Sequence, residues 1–191
     1  MNIEMTTELG AVNVLLQTIN EAPVNSLEIP GLNDLSMARN VLAETSREFQ
    51  SIGYEFNSDK ITIAPDIDGY INLPANTARV DPVDKSKRYI QRGTRLYDKT
   101  ENTFAIGAPV EVDIILYRDF NDLPEPAKRY ITIKAARRFQ NRVMGDDAIY
   151  MFTKEDELEA KVAFLEQEID SGDYNMGRDS YTMQLALRRT W

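Results

Sequence analysis

At 191 residues the chain can bury one good hydrophobic core, or one core with a smaller satellite. It has no cysteine and no histidine, which removes disulfides, thiolate catalysis, Cys-based metal sites, the commonest general base and the commonest transition-metal ligand. Its 22 Lys/Arg against 31 Asp/Glu give a net charge of −9, which argues against a surface that grips phosphate as a whole.

No apolar run reaches the ~18 residues of a membrane span, and Met1-Asn2-Ile3-Glu4 lacks the pattern of a signal peptide, so a cytoplasm-like compartment is expected. From Thr6 or Thr7 to about Asn20, Leu9, Val12, Leu16 and Ile19 keep helical spacing, with Glu8 placed in the first turn where it suits the helix dipole. An irregular connection with Pro23, Pro30 and Gly31 follows. A second helix starts at Asp34 or Ser36, carries Ala38, Val41, Leu42, Thr45, Phe49 and Ile52 as a narrow stripe, and ends at Gly53.

From Tyr54 the period changes. Tyr54-Glu55-Phe56 and Ile61-Thr62-Ile63 alternate like half-buried strands, and further short candidates cover 70–73, 78–80, 88–91, 96–97, 103–106 and 110–117. Polar turns separate them, which predicts an antiparallel meander of five or six strands inserted between two pairs of helices.

Residues 117–145 then close a strand and launch the longest helix, with Asp122 as a candidate cap, Pro124 early and Gly145 as the stop. Ile133, Ala136, Phe139, Val143 and Met144 fall on one side, and Lys134, Arg138 and Arg142 repeat every four residues on another. From 124 to 145 there are six Lys/Arg against one Glu, a net of +5 in an acidic chain. Thr153 with Asp156 marks the start of a fourth, acidic helix whose stripe is Leu158, Val162, Leu165 and Ile169. Its charge predicts an antiparallel hairpin with the basic helix. The fold class expected is therefore α+β, a bundle of about four helices (1–53 and 123–170) with an inserted antiparallel sheet (54–117) and a C-terminal tail (171–191).

Candidate chemistry is sparse. Asp66/Asp68 and Glu111/Asp113 are carboxylate pairs that a glycoside hydrolase could use, but they also read as a turn and as the solvent face of a strand. The segment 85–99 interleaves Arg88, Arg92 and Arg95 with Tyr89 and Tyr97, which suits contact with a phosphate backbone or simply a solvated hairpin. Lys134, Arg138 and Arg142 pair either within the subunit or with a neighbour. Trp191, with Arg188 and Arg189 before it, reads either as a disordered end or as an anchor in a partner's pocket. No metal site and no cofactor is expected.

The order of features resembles the tail tubular protein A family of short-tailed phages, also described as the tail adaptor or gatekeeper. The likeness runs through Glu8-Leu9-Gly10-Ala11-Val12-Asn13, Glu21-Ala22-Pro23-Val24 and Phe49-Gln50-Ser51-Ile52-Gly53-Tyr54-Glu55-Phe56-Asn57. It continues through Arg92-Gly93, Leu96-Tyr97-Asp98, Leu116-Tyr117-Arg118-Asp119-Phe120-Asn121-Asp122-Leu123-Pro124-Glu125, Ala135-Ala136-Arg137-Arg138-Phe139-Gln140-Asn141-Arg142 and Tyr174-Asn175-Met176. The resemblance implies a virion protein that forms a ring of twelve copies between the portal protein and the tubular nozzle protein, with a tail fibre as a further neighbour. Double-stranded DNA would pass through its lumen. Lys134, Arg138, Arg142, Arg188, Arg189 and Trp191 then become candidates for the ring or portal interface, and Arg88, Arg92 and Arg95 for nucleic-acid contact. Tail components with glycan-hydrolysing activity and DNA-binding modules are the alternatives.

Overall fold

The computed structural model describes residues 5–29, 31–145 and 151–171. Four helices are present in this set, α1 (Glu8–Gln17), α2 (Asn33–Gln50), α3 (Glu125–Met144) and α4 (Lys154–Ser171). Five strands lie between α2 and α3: β1 (Ser58–Ile63), β2 (Thr77–Pro82), β3 (Tyr89–Arg92), β4 (Arg95–Asp98) and β5 (Val110–Leu116). The fold is α+β, as expected.

α1 begins where Thr7, in extended conformation, accepts a hydrogen bond from the Gly10 amide. Its start is tied to the start of α3, because the Thr6 amide donates to the Glu125 carboxylate and the Glu8 amide to Asn121 Oδ1 at 2.9 Å. α3 lies against α1, α2 and α4. Ala127, Tyr130, Ile131, Ile133, Ala135, Ala136 and Phe139 are buried along it. Its last turn emerges, so Val143 and Met144, which share a side with Ile133, Ala136 and Phe139 in the sequence pattern, are exposed. Asp122 does not cap α3: it sits in a 3-10 turn, Phe120–Asp122, and Pro124 is the capping residue, with Pro126 in the first turn. A proline there costs little because its amide has no intrahelical partner. Gly145 ends the helix at φ +80, a conformation glycine adopts without penalty.

The strands do not form a meander. β5 is central, with β1 and β2 antiparallel on either side, and β3–β4 is a separate hairpin. Residues 70–73 and 103–106 contribute isolated bridges, Tyr70 to Ala105 and Asp98 to Thr103, in place of full strands. The expected strand at Tyr54–Phe56 is likewise absent, because Glu55–Asn57 winds into a 3-10 turn with Asn57 reaching back to the Tyr54 amide. Two hydrophobic clusters result. The larger joins all four helices with Tyr54 and Phe56, and the smaller joins Ile71, Leu73, Val80, Leu96, Val110, Val112 and Ile114 in the β lobe.

A polar neck connects them. The side chain of Gln50, fully buried at the end of α2, donates to the Arg118 carbonyl at 3.0 Å and accepts from the Arg118 amide at 2.8 Å, as a neighbouring strand would. Asn57, also fully buried, donates to the carbonyls of Gln50 and Leu116 at 2.9 and 3.2 Å. Between them Gly53 turns at φ +86, and a Cβ there would meet Ile115 Cδ1 at 2.4 Å. Both chain crossings are therefore fastened by two amide side chains.

Candidate functional site

Three surfaces collect the charged and apolar groups from which a function could be built. The first is the seam between α2 and α3. Lys134, Arg138 and Arg142 project along α3 towards Glu48 and Glu44 of α2. Lys134 Nζ lies 3.1 Å from Glu48, Arg138 reaches the other oxygen of the same carboxylate, and Arg142 grips Glu44 with two bonds of 2.9 and 3.0 Å. The Arg138 guanidinium and, after the opposing effect of burial, the Lys134 ammonium hold the Glu48 carboxyl down to about 2. Arg142 likewise lowers that of Glu44. The three cations are thus satisfied inside the subunit. Their partner is α2 and not the acidic α4, which is reached instead by their neighbour Arg137, through Glu157.

The second surface is the outward face of the β3–β4 hairpin. Register puts Arg92 opposite Arg95 and Ile90 opposite Tyr97, so Arg92, Arg95 and Tyr97 share one face while Leu96 points into the lobe core. Arg92 stacks over the Tyr97 ring at 3.7 Å, and Arg95 lies over Tyr70 at 4.6 Å while donating to Asn72 Oδ1 at 3.1 Å. Arg88 stands next to this face, its carbonyl accepting from the Lys99 amide. The hairpin therefore sets Arg92 and Arg95 on one face, each over an aromatic ring, with Arg88 next in the chain before β3.

The third surface is the outside of α4. Thr153 and Asp156 cap the helix reciprocally, as expected. The face turned inward is not the aliphatic stripe. Ala160 and Phe164 are buried, with Phe164 set edge-on to Phe49 and Tyr54 at 4.9 and 4.8 Å, and Glu168 accepts from the Glu55 amide at 2.9 Å. Burial raises the Glu168 carboxyl and the Tyr54 phenol. One large aromatic side chain, an ion pair and a fixed hydrogen bond thus set the rotation of α4. Leu158, Val162, Leu165 and Ile169 face away, each between 39% and 62% exposed.

The carboxylate candidates are separated by their surroundings. Asp66 accepts from the amides of Tyr70 and Asp68 and from Asn72, and these bonds hold its carboxyl below the usual range, the opposite of what a general acid requires. Glu111 and Asp113 occupy the exposed positions of β5, and Glu111 pairs with Lys60. Among the described residues no cluster of acidic side chains could hold a metal, and no helix is long and apolar enough to cross a membrane. Arg188, Arg189 and Trp191 lie outside the described residues.

Sequence reasoning missed Gln50, Asn57 and the partners Glu44 and Glu48. Gln50 was visible as a polar residue one step from Phe49 at the end of an apolar stripe, a position where an amide needs hydrogen bonds in the interior.

Residues 9–174 match the family described as tail tubular protein. The chain is also similar to tail tubular protein A of Klebsiella phage KP34, with 25% identity over 182 residues that cover 95% of this chain and 97% of the relative.

Proposed function

Because the chain belongs to the tail tubular protein family, and so is a structural component of a phage virion's tail, we propose that it is the adaptor subunit between the portal vertex and the tubular nozzle, and that its ring lines part of the channel for DNA ejection. The observation that carries this reading is a likeness spanning nearly the whole of both chains. Twelve copies close the ring, after assembly in the host cytoplasm. Such a ring is heterologous and needs two different complementary faces on each copy.

A net charge of −9 supports a conduit, since like charge keeps passing phosphates from adhering. The helices form the bundle of the ring, residues 54–117 its separate lobe, and Arg188, Arg189 and Trp191 serve as docking anchors. The test is the mass of the purified protein alone and mixed with its phage's portal ring, by light scattering or native mass spectrometry. Joining the portal as a fixed multiple supports the adaptor reading. Absence of association at every salt concentration removes it.

One observation favours a second reading, contact between the hairpin and nucleic acid: Arg92 over Tyr97 and Arg95 over Tyr70 share one exposed face, with Arg88 just before it in the chain. Duplex affinity that falls steeply with salt, and flattens on replacing the three arginines, would support it.

A further inference from the structure

We propose that the outward face of α4 is a self-association surface, on which the free protein pairs with a second copy of itself as a short, parallel, in-register two-helix seam. Leu158, Val162, Leu165 and Ile169 are spaced four, three and four residues apart, so they occupy successive d, a, d and a positions of a heptad pattern. They lie about 150° around the helix from Ala160 and Phe164, the side chains that hold α4 to the bundle. α4 is already folded against the rest of the chain, so pairing carries no helix-nucleation cost.

The occupant follows from side-chain type and charge. Leucine at both d positions with Val162 and Ile169 at a is the combination that favours two parallel strands. Lys154 and Lys161 flank the seam at g, and Glu159 and Glu166 at e; all four are exposed and join no ion pair among the described residues. In a parallel pair each g residue meets the e residue five positions on in the other copy, giving Lys154 with Glu159 and Lys161 with Glu166, twice by symmetry. An antiparallel pair would oppose Glu159 to Glu166 and leave Lys161 only Glu168, whose carboxylate already accepts from the Glu55 amide. Glu155, at the a position before Val162, ends the apolar seam, so the interface is smaller than the ~800 Å² per partner of a stable complex and the dimer is weak. This inference stands apart from the adaptor reading, since an α4 pair with a two-fold axis is not the contact of a head-to-tail ring.

The absence of native cysteine makes the test direct. Leu158→Cys and Ile169→Cys, each at ~200 µM, a concentration suited to a weak interface, are oxidised with copper–phenanthroline, singly and mixed. The expected result is self-crosslinking of each variant alone. Crosslinks that form only in the mixture overturn the parallel geometry, and none in any sample overturns self-association through α4. Lys154→Glu with Lys161→Glu should raise the dissociation constant by about tenfold or more, and adding Glu159→Lys with Glu166→Lys should restore it. Melting of the dilute monomer should not change in any of these variants. Failure to join a portal ring would leave these outcomes untouched, and their failure would leave portal joining untouched.

Discussion

The helical body and the β lobe are stabilised by different means. The body centres on aromatic packing, with Phe49 in contact with Tyr54, Phe56, Tyr130 and Phe164 at centroid distances from 4.6 to 6.4 Å, and adds ion pairs between α2 and α3. The lobe's core cluster joins seven buried aliphatic residues, and the lobe depends on turn chemistry, such as the three hydrogen bonds accepted by Asp66. At the hairpin Arg92 and Arg95 lie on rings, and among the described residues neither joins a salt bridge. The difference teaches that α3's charge serves packing of the body, while the charge of the hairpin remains available to a partner.

The most damaging single change should be Phe164→Ala, which removes a buried ring from the body. A loss of about 3–5 kcal/mol is expected in denaturant unfolding, as for other buried aromatic truncations. Next is Gln50→Leu, which leaves the Arg118 amide and carbonyl without partners and should cost about 2–3 kcal/mol. Hydrogen exchange would separate the two: Phe164→Ala should loosen the body, and Gln50→Leu should speed exchange of the Arg118 amide at the neck first.

The α2–α3 pairs should matter less. Glu48→Gln should lower stability by roughly 1 kcal/mol at pH 7, after allowing for the half-exposed carboxylate. The sign with pH follows from a carboxyl lowered from 4.5 to about 2. Its contribution is complete above pH 4.5, falls away as the pH drops towards 2, and so wild type and variant should converge in acid. Arg138→Glu with Arg142→Glu should lower the melting temperature while portal association persists; intact melting with lost association would instead make these residues a docking face. The smallest effect should come from Arg92→Ala, within about 0.5 kcal/mol by thermal unfolding, because the stacked guanidinium is exposed.

Much of this was legible in the residues. Periodicity located all four helices, Thr153 with Asp156 marked the start of α4, and the alternation of Val110, Val112 and Ile114 with Glu111 and Asp113 described β5 correctly. Strand order was not legible, because β1 and β2 both pair with β5 across long separations that local pattern does not encode. The rotation of α4 was misread for a related reason. Four aliphatics make the stronger periodic signal, yet Phe164 alone completes the ring cluster built by Phe49, Tyr54 and Phe56, residues more than a hundred positions away. The hairpin cluster was visible as composition, but its common face required the register of Arg92 against Arg95.

The neck has a consequence for modularity. Ser58 stands opposite Ile115 in the β1–β5 ladder, so the chain leaves the body and comes back to it within a single strand spacing, ~5 Å. A segment whose ends lie so close can be exchanged, lengthened or replaced by a tight turn without asking the body to change its geometry. Related tails could vary that lobe to suit different neighbours while keeping one helical frame, provided the amides of Gln50 and Asn57 still find backbone to hold.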